Sequence, residues 1–253
     1  MLGMKKLTVL VLASPLASSA LANINPLDVF NASHLENTAN QGSNSVGEIE
    51  SLPFETECVF YSSLFDDGHS LARVDVSVSG GDPKSWAATL VAVAFSAKET
   101  GADSIQVYLH NQAFDKSVEG IFRDIGVAYY QPTGKGIWSD EDGSKVLTVY
   151  SSQREKLLGK RDFDITNDFN KINQSLIDNG VEYDKADKIA GDKVAKKYHL
   201  KKDWLLPTGN YSSSSDEINV NDWKIDTSPS NDALNKIKYI YKEIQRPTYS
   251  SCE

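Results

Sequence analysis

Residues 72–110 read ARVDVSVSGGDPKSWAATLVAVAFSAKETGADSIQVYLH, and this stretch decides the fold. Ala72, Val74, Val76 and Val78 alternate with Arg73, Asp75, Ser77 and Ser79, the period of a strand with one buried face. Gly80-Gly81 breaks the strand, Asp82 can cap a helix and Pro83 suits its first position. Trp86, Leu90, Val91, Val93, Ala94, Phe95 and Ala97 then fill a helix that Gly101 closes. Ile105, Val107 and Leu109 alternate with Gln106, Tyr108 and His110 directly afterwards, so the unit is strand, helix, strand. A connection of that length fits a right-handed crossover between parallel strands.

Working outward, Cys58 to Ser62 reads as a preceding strand. Ile125–Tyr130 and Val146–Tyr150 are two following strands, separated by a loop with Pro132, Gly134, Gly136 and Gly143, and they form an antiparallel hairpin at one side of the sheet. Ile165, Phe169, Ile172 and Leu176 recur at helical spacing before Asn179-Gly180. Ala186, Ile189, Ala190, Val194 and Tyr198 mark a second helix. Leu234, Ile237, Tyr241 and Ile244 mark a last one, which begins at Ser228-Pro229 and ends at Arg246-Pro247. The fold class is α+β: a mixed sheet of four to five strands with one crossover helix, followed by a helical C-terminal part.

At the N-terminus, Lys5 and Lys6 precede an apolar run from Leu7 to Leu16, and Ala20-Leu21-Ala22 offers small residues for a signal peptidase. Export with cleavage after Ala22 is expected, to the periplasm or the exterior. The apolar run is shorter than a bilayer span and is interrupted by Ser14 and Pro15, and no later segment approaches that length. Residues 31–51 are rich in Asn, Ser, Gly and Glu. The organisation read from this is a signal peptide over 1–22, a flexible linker over 23–55, a sheet-containing core over 56–155 and a helical extension with its tail over 156–253, packed on the core.

The chain has 253 residues with 35 acids against 26 basic residues, a net charge of −9. Loss of residues 1–22, which hold two lysines and no acids, leaves −11. That balance argues against general affinity for nucleic acid or anionic lipid. Two cysteines in an oxidising compartment favour a structural bridge, Cys58 to Cys252, which ties the tail to the first strand.

The patterns that carry chemistry mostly give way to structural readings. His34, His69, His110 and His199 are isolated, and none has a His or Cys partner at metal-ligand spacing. Asp82 follows Ser79-Gly80-Gly81 as a cap and makes no nucleophile elbow. Thr133-Gly134-Lys135-Gly136 misses the phosphate-loop spacing. Asp140 and Asp142, before Gly143, could offer oxygen ligands to calcium, or could be an acidic turn. No other metal and no cofactor is expected. Residues 185–202 hold seven lysines against Asp187 and Asp192, a local +5. Two readings stand for this segment. It is a solvated helix surface, or it is an anion or partner patch formed by Lys193, Lys196, Lys197 and Lys201, with Tyr198 and Trp204 supplying aromatic contact.

Gly191-Asp192 to Ala195-Lys196-Lys197-Tyr198, with Leu200 and Leu205-Leu206, resembles the helical part of LysM peptidoglycan-binding modules, with a shorter gap and without their flanking strands. Lys98 to Asp103 leading into Ile105-Gln106-Val107 resembles small exported bacterial domains of unknown function, which implies a fold neighbourhood and no activity. Two functions follow as expectations. The first is a soluble, non-catalytic binding or interaction protein of the cell envelope, whose partner is an envelope protein or an anionic polymer. The alternative is an exported hydrolase whose site is assembled only in three dimensions.

Overall fold

The computed structural model describes residues 48–252, apart from 65–67, 116–121, 139–142, 208, 211–216 and 245. Residues 42–253 make one compact unit. The expected cleavage site at Ala22, His34, and the calcium candidates Asp140 and Asp142 lie outside the described residues.

The strand–helix–strand unit is present as β3 (Leu71–Val78), α1 (Pro83–Ala97) and β4 (Ser104–Asn111), and β3 and β4 pair in parallel from Leu71↔Ser104 to Val78↔Asn111. Asp82 starts α1 by accepting from the backbone N–H groups of Lys84 and Ser85 at 3.0 and 2.9 Å, while its own N–H donates to Ser85 Oγ. This reciprocal pair is a capping box. β2 (Glu55–Ser62) joins β3 antiparallel, and β5 (Asp124–Tyr130) and β6 (Leu147–Ser151) form the hairpin on the other side.

Among the described residues the sheet has six strands, in the order β6-β5-β4-β3-β2-β8, rather than four to five. The sixth, β8 (Thr248–Ser250), is the C-terminal tail lying antiparallel on β2. Thr248-Tyr249-Ser250 is too short to show a period, so only the pairing makes it a strand. A second addition concerns the stretch read as linker through residue 55. Within it, β1 (Ile49–Glu50) pairs in parallel with β7 (Ile225–Asp226), and the Leu52 N–H donates to Thr89 Oγ1 of α1 at 2.8 Å.

Valines of β3 and β4 and nearly every side chain of α1 are buried. A helix apolar all round must be covered all round, and α1 is: the sheet lies on one side, and α4 (Asn231–Glu243) with β1 packs on the others. Gly126 of β5 permits the close approach, since a Cβ there would sit 2.5 Å from the Tyr150 carbonyl and 3.0 Å from Leu90. α4, from the helical extension expected to pack on the core, contributes Leu234, Ile237 and Tyr241 to it. Its Tyr241 hydroxyl donates to the Arg73 carbonyl at 2.9 Å, and burial pushes that phenol far above its ordinary range. Burial likewise pushes Tyr130 up to about 12.

The remaining helices, α2 (Lys160–Asp178) and α3 (Tyr183–Tyr198), form a hairpin. It joins the core through Phe163, whose ring meets Phe114 and Phe122 edge-on at 5.7 and 5.5 Å beyond the end of β4. No described helix packs on the face of the sheet opposite α1 and α4.

Candidate functional site

That helix-free face, open to solvent at Arg73, Tyr108 and Tyr129 and closed over Asp75, Ser77 and His110, receives the polar half of each alternating strand. Arg73 and Asp75 come from β3, Gln106, Tyr108 and His110 from β4, and Asp124 and Tyr129 from β5. The register sets Asp75 beside Tyr108 and His110 opposite Asp124, across a bulge between Leu109 and His110. Such a bulge re-aims a side chain.

Arg73 grips Asp75 with two parallel hydrogen bonds, Nε to Oδ1 at 2.8 Å and a terminal nitrogen to Oδ2 at 2.7 Å. The guanidinium also lies 4.5 Å over the Tyr108 ring, a cation–π geometry. Asp75, chiefly through that hydrogen bond, raises the Arg73 pKa above its ordinary value. Gln106 donates to the Tyr108 hydroxyl at 2.7 Å, and burial, followed by Tyr129, pushes that phenol up.

His110 completes the cluster. Its side chain is 6% exposed, Nδ1 lies 3.0 Å from Asp124 Oδ1, and Nε2 is 4.0 Å from Asp75 Oδ2 with no hydrogen-bond partner. When Nδ1–H donates to Asp124, the ring is held in one orientation and the Nε2 lone pair is left free. That is the arrangement of an oriented base, although no hydroxyl of the described residues is hydrogen-bonded to it.

Beside this cluster the face becomes aromatic, with Tyr129 4.8 Å from Trp138 and 6.3 Å from Tyr150. Trp138 is set by a turn in which its N–H donates to Gln131 Oε1 and the Ile137 N–H donates to Ser104 Oγ. At the other border Arg123 and Glu57 form an ion pair, each side chain mostly buried.

The residues nominated from sequence lie elsewhere. Cys58 and Cys252 are bridged, with Cα atoms 4.8 Å apart, at the β2 end of the sheet. Lys193, Lys196 and Lys197 are exposed on α3, and Lys201 is exposed beyond it. Lys197 pairs with Asp168 of α2, and the Tyr198 hydroxyl donates to the same carboxylate at 2.6 Å. Trp204 folds back over Gly191, 3.9 Å from where a Cβ would stand. The hairpin and the turn after it, residues 160–202, carry ten basic and eight acidic residues. The +5 of the lysine segment is therefore reduced to +2 over the hairpin, α2 contributing −1 and Glu182 with Asp184 contributing −2. His69 and His199 lie apart from the cluster, and His199 caps α3 in the left-handed conformation. Among the described residues no group of three or more His, Cys, Asp or Glu could hold a metal ion, and no helix is long and apolar enough to cross a membrane.

Asp168 supports a prediction about pH. Hydrogen bonds from Lys197 and then Tyr198 hold its carboxyl below the ordinary value of about 3.9. A carboxylate depressed on folding adds stability that is present above that value and lost as pH falls through the lower, folded one. The α2–α3 contact should therefore weaken below about pH 4, and Asp168→Asn should flatten the acid limb. Amide exchange of α3 against pH checks this: identical acid limbs in the two proteins would count against it.

The sequence signal for the open-face cluster was the polar half of two alternating strands. The apolar half of those strands defines the core, and nothing in the polar half sets it apart from an ordinary solvated face. The pairing of His110 with Asp124, fourteen residues away, depends on the bulged register.

No family model and no curated protein matches this chain. Among solved structures, a DUF487 family protein from Desulfovibrio piger ATCC 29098 is similar at 16% identity, over 60% of this chain and 88% of its own, with a TM-score of 0.40. A likeness so distant carries no argument about fold or activity. The LysM resemblance has no family match behind it, and α3 is flanked by α2 and an irregular segment rather than by strands.

Proposed function

We propose that this chain is exported with cleavage after Ala22 and serves as a non-catalytic binding protein of the cell envelope, taking its ligand on the open face of the sheet. The order of charged, apolar and small residues at the N-terminus supports export, and the Cys58–Cys252 bridge suits an oxidising compartment. The observation that carries the binding reading is a sheet face uncovered by any described helix, where Arg73 is held rigid by Asp75 next to the half-buried rings of Tyr108 and Tyr129. A preorganised guanidinium and flat rings recognise a polar partner at little cost in side-chain entropy.

The test is affinity capture from the envelope fraction with the chain beginning at Asn23, compared with Tyr129→Ala. The wild type should retain one reproducible partner, and the variant, with an unchanged melting temperature, should lose it about tenfold. Equal capture by both proteins removes the sheet face from the reading.

The oriented imidazole favours the second reading, an exported hydrolase in which His110 acts as base and Asp124 orients it. Turnover in a hydrolase panel that is abolished by His110→Gln in a folded protein would replace the binding reading with this one.

A further inference from the structure

We propose that the turn after α3, Lys201 to Pro207 (KKDWLLP), docks the protein on the surface of an anionic lipid bilayer. The turn is built rather than frayed. His199 takes the left-handed conformation and reverses the chain, the Leu200 N–H donates to the Ala195 carbonyl at 2.9 Å, and the Trp204 N–H donates to the Lys201 carbonyl at 3.2 Å. Trp204 rests over Gly191, and Thr166 of α2 donates to the Pro207 carbonyl at 3.1 Å. Held on both sides, the turn projects Leu205, which at 88% exposure is the most exposed large apolar side chain of the described residues.

The charge around this tip complements an anionic surface. Lys201 and Lys202 are exposed within the turn, and Lys196 and Lys197 are exposed at the end of α3. Arg161 reaches the same place, donating to the Tyr198 carbonyl at 3.0 Å. The acids nearby are Asp203 in the turn, Asp192 four residues before Lys196 on α3, and Asp162, Asp164 and Asp168 on α2, with Asp168 engaged by Lys197 and Tyr198 and Asp162 by the Gly159 N–H. The net charge of the rest of the chain does not prevent docking, because at physiological salt charges are screened beyond ~8 Å. An acidic polymer or protein would be served by the lysines alone. A leucine presented to water beside a tryptophan and flanked by lysines matches a bilayer, where the apolar tip enters the headgroup boundary, the indole lies at that level, and the ammonium groups stay in contact with phosphates.

This inference rests on reading the lysine segment as a docking patch and names its partner. The experiment separates the two. The chain from Asn23 lacks the apolar N-terminal run and keeps the compact unit of residues 42–253. It is sedimented with vesicles of phosphatidylcholine alone, with vesicles containing phosphatidylglycerol, and separately titrated with soluble polyglutamate. Binding is expected to the phosphatidylglycerol vesicles and not to the neutral ones, weakening as salt rises. Leu205→Ser, which removes the apolar tip without adding charge, should reduce that binding by at least about tenfold while leaving polyglutamate binding unchanged, and Lys201→Gln with Lys202→Gln should reduce both. Binding that is absent from phosphatidylglycerol vesicles, or equal for Leu205→Ser, overturns the bilayer proposal. If polyglutamate still binds in that case, the lysine patch survives as a docking face, and if it does not, both readings fall.

Discussion

Replacing Cys58 and Cys252 together by serine is expected to be among the most destabilising changes, because it removes a covalent tie and puts a hydroxyl at the buried Cys58 position. The bridge closes a loop with a sequence separation of 194. In the chain-entropy description, a loop of that length restricts the unfolded ensemble by about 5 kcal/mol, with about 2 kcal/mol as the lower expectation. The tail has other anchors. The Ser251 N–H donates to the Val59 carbonyl at 2.9 Å, the Val59 N–H donates to Ser251 Oγ at 2.9 Å, and the Ser63 N–H donates to the Pro247 carbonyl at 2.8 Å. These bonds are short-range and lie at an edge, so without the covalent link β8 should open locally before the sheet unfolds. Urea denaturation of the double variant should show the loss, and amide exchange should show faster opening at residues 248–251 than in β3. A change below about 1 kcal/mol, less than half the lower expectation, would mean that the backbone bonds alone hold the tail.

The second large effect is expected at Trp86. Its side chain is fully buried in the first turn of α1, and its indole N–H donates to the Gly80 carbonyl at 2.8 Å. Gly81 lies against it at φ 108°, where a Cβ would stand 2.7 Å from the indole nitrogen. The ring thus fills the corner between the end of β3 and the start of the helix. Trp86→Ala should cost about 3–5 kcal/mol, from lost burial together with a cavity at a junction that cannot collapse, and it also leaves the Gly80 carbonyl without its donor. Trp86→Phe should fall between alanine and wild type, because it restores most of the volume and not the hydrogen bond. Chemical denaturation of the three proteins checks the order, and an alanine variant as stable as the phenylalanine one would contradict the packing account.

The face that carries Arg73, Asp75, His110 and Asp124 shows how far the chain can be read without coordinates. That Arg73 and Asp75 share a face follows from the strand period, and so does the common side of Gln106, Tyr108 and His110. Which strands adjoin, and in what register, does not follow. One residue of slip would exchange every polar side chain of a strand with its apolar neighbours, and the bulge at Leu109/His110 introduces such a shift locally.

The amino-acid sequence by itself determined the parallel β3–α1–β4 unit, the β5–β6 hairpin, the three later helices and the one possible disulfide. Each of these rests on interactions close along the chain, or on there being only two cysteines. Tertiary structure alone decided that Thr248–Ser250 becomes a sixth strand, that Ile49–Glu50 pairs with Ile225–Asp226, that the helix α4 packs on is α1, and that His110 meets Asp124. Short segments with no period of their own take their conformation from the partner they meet. A partner distant in sequence is chosen by the whole packed core, and local propensity does not encode it.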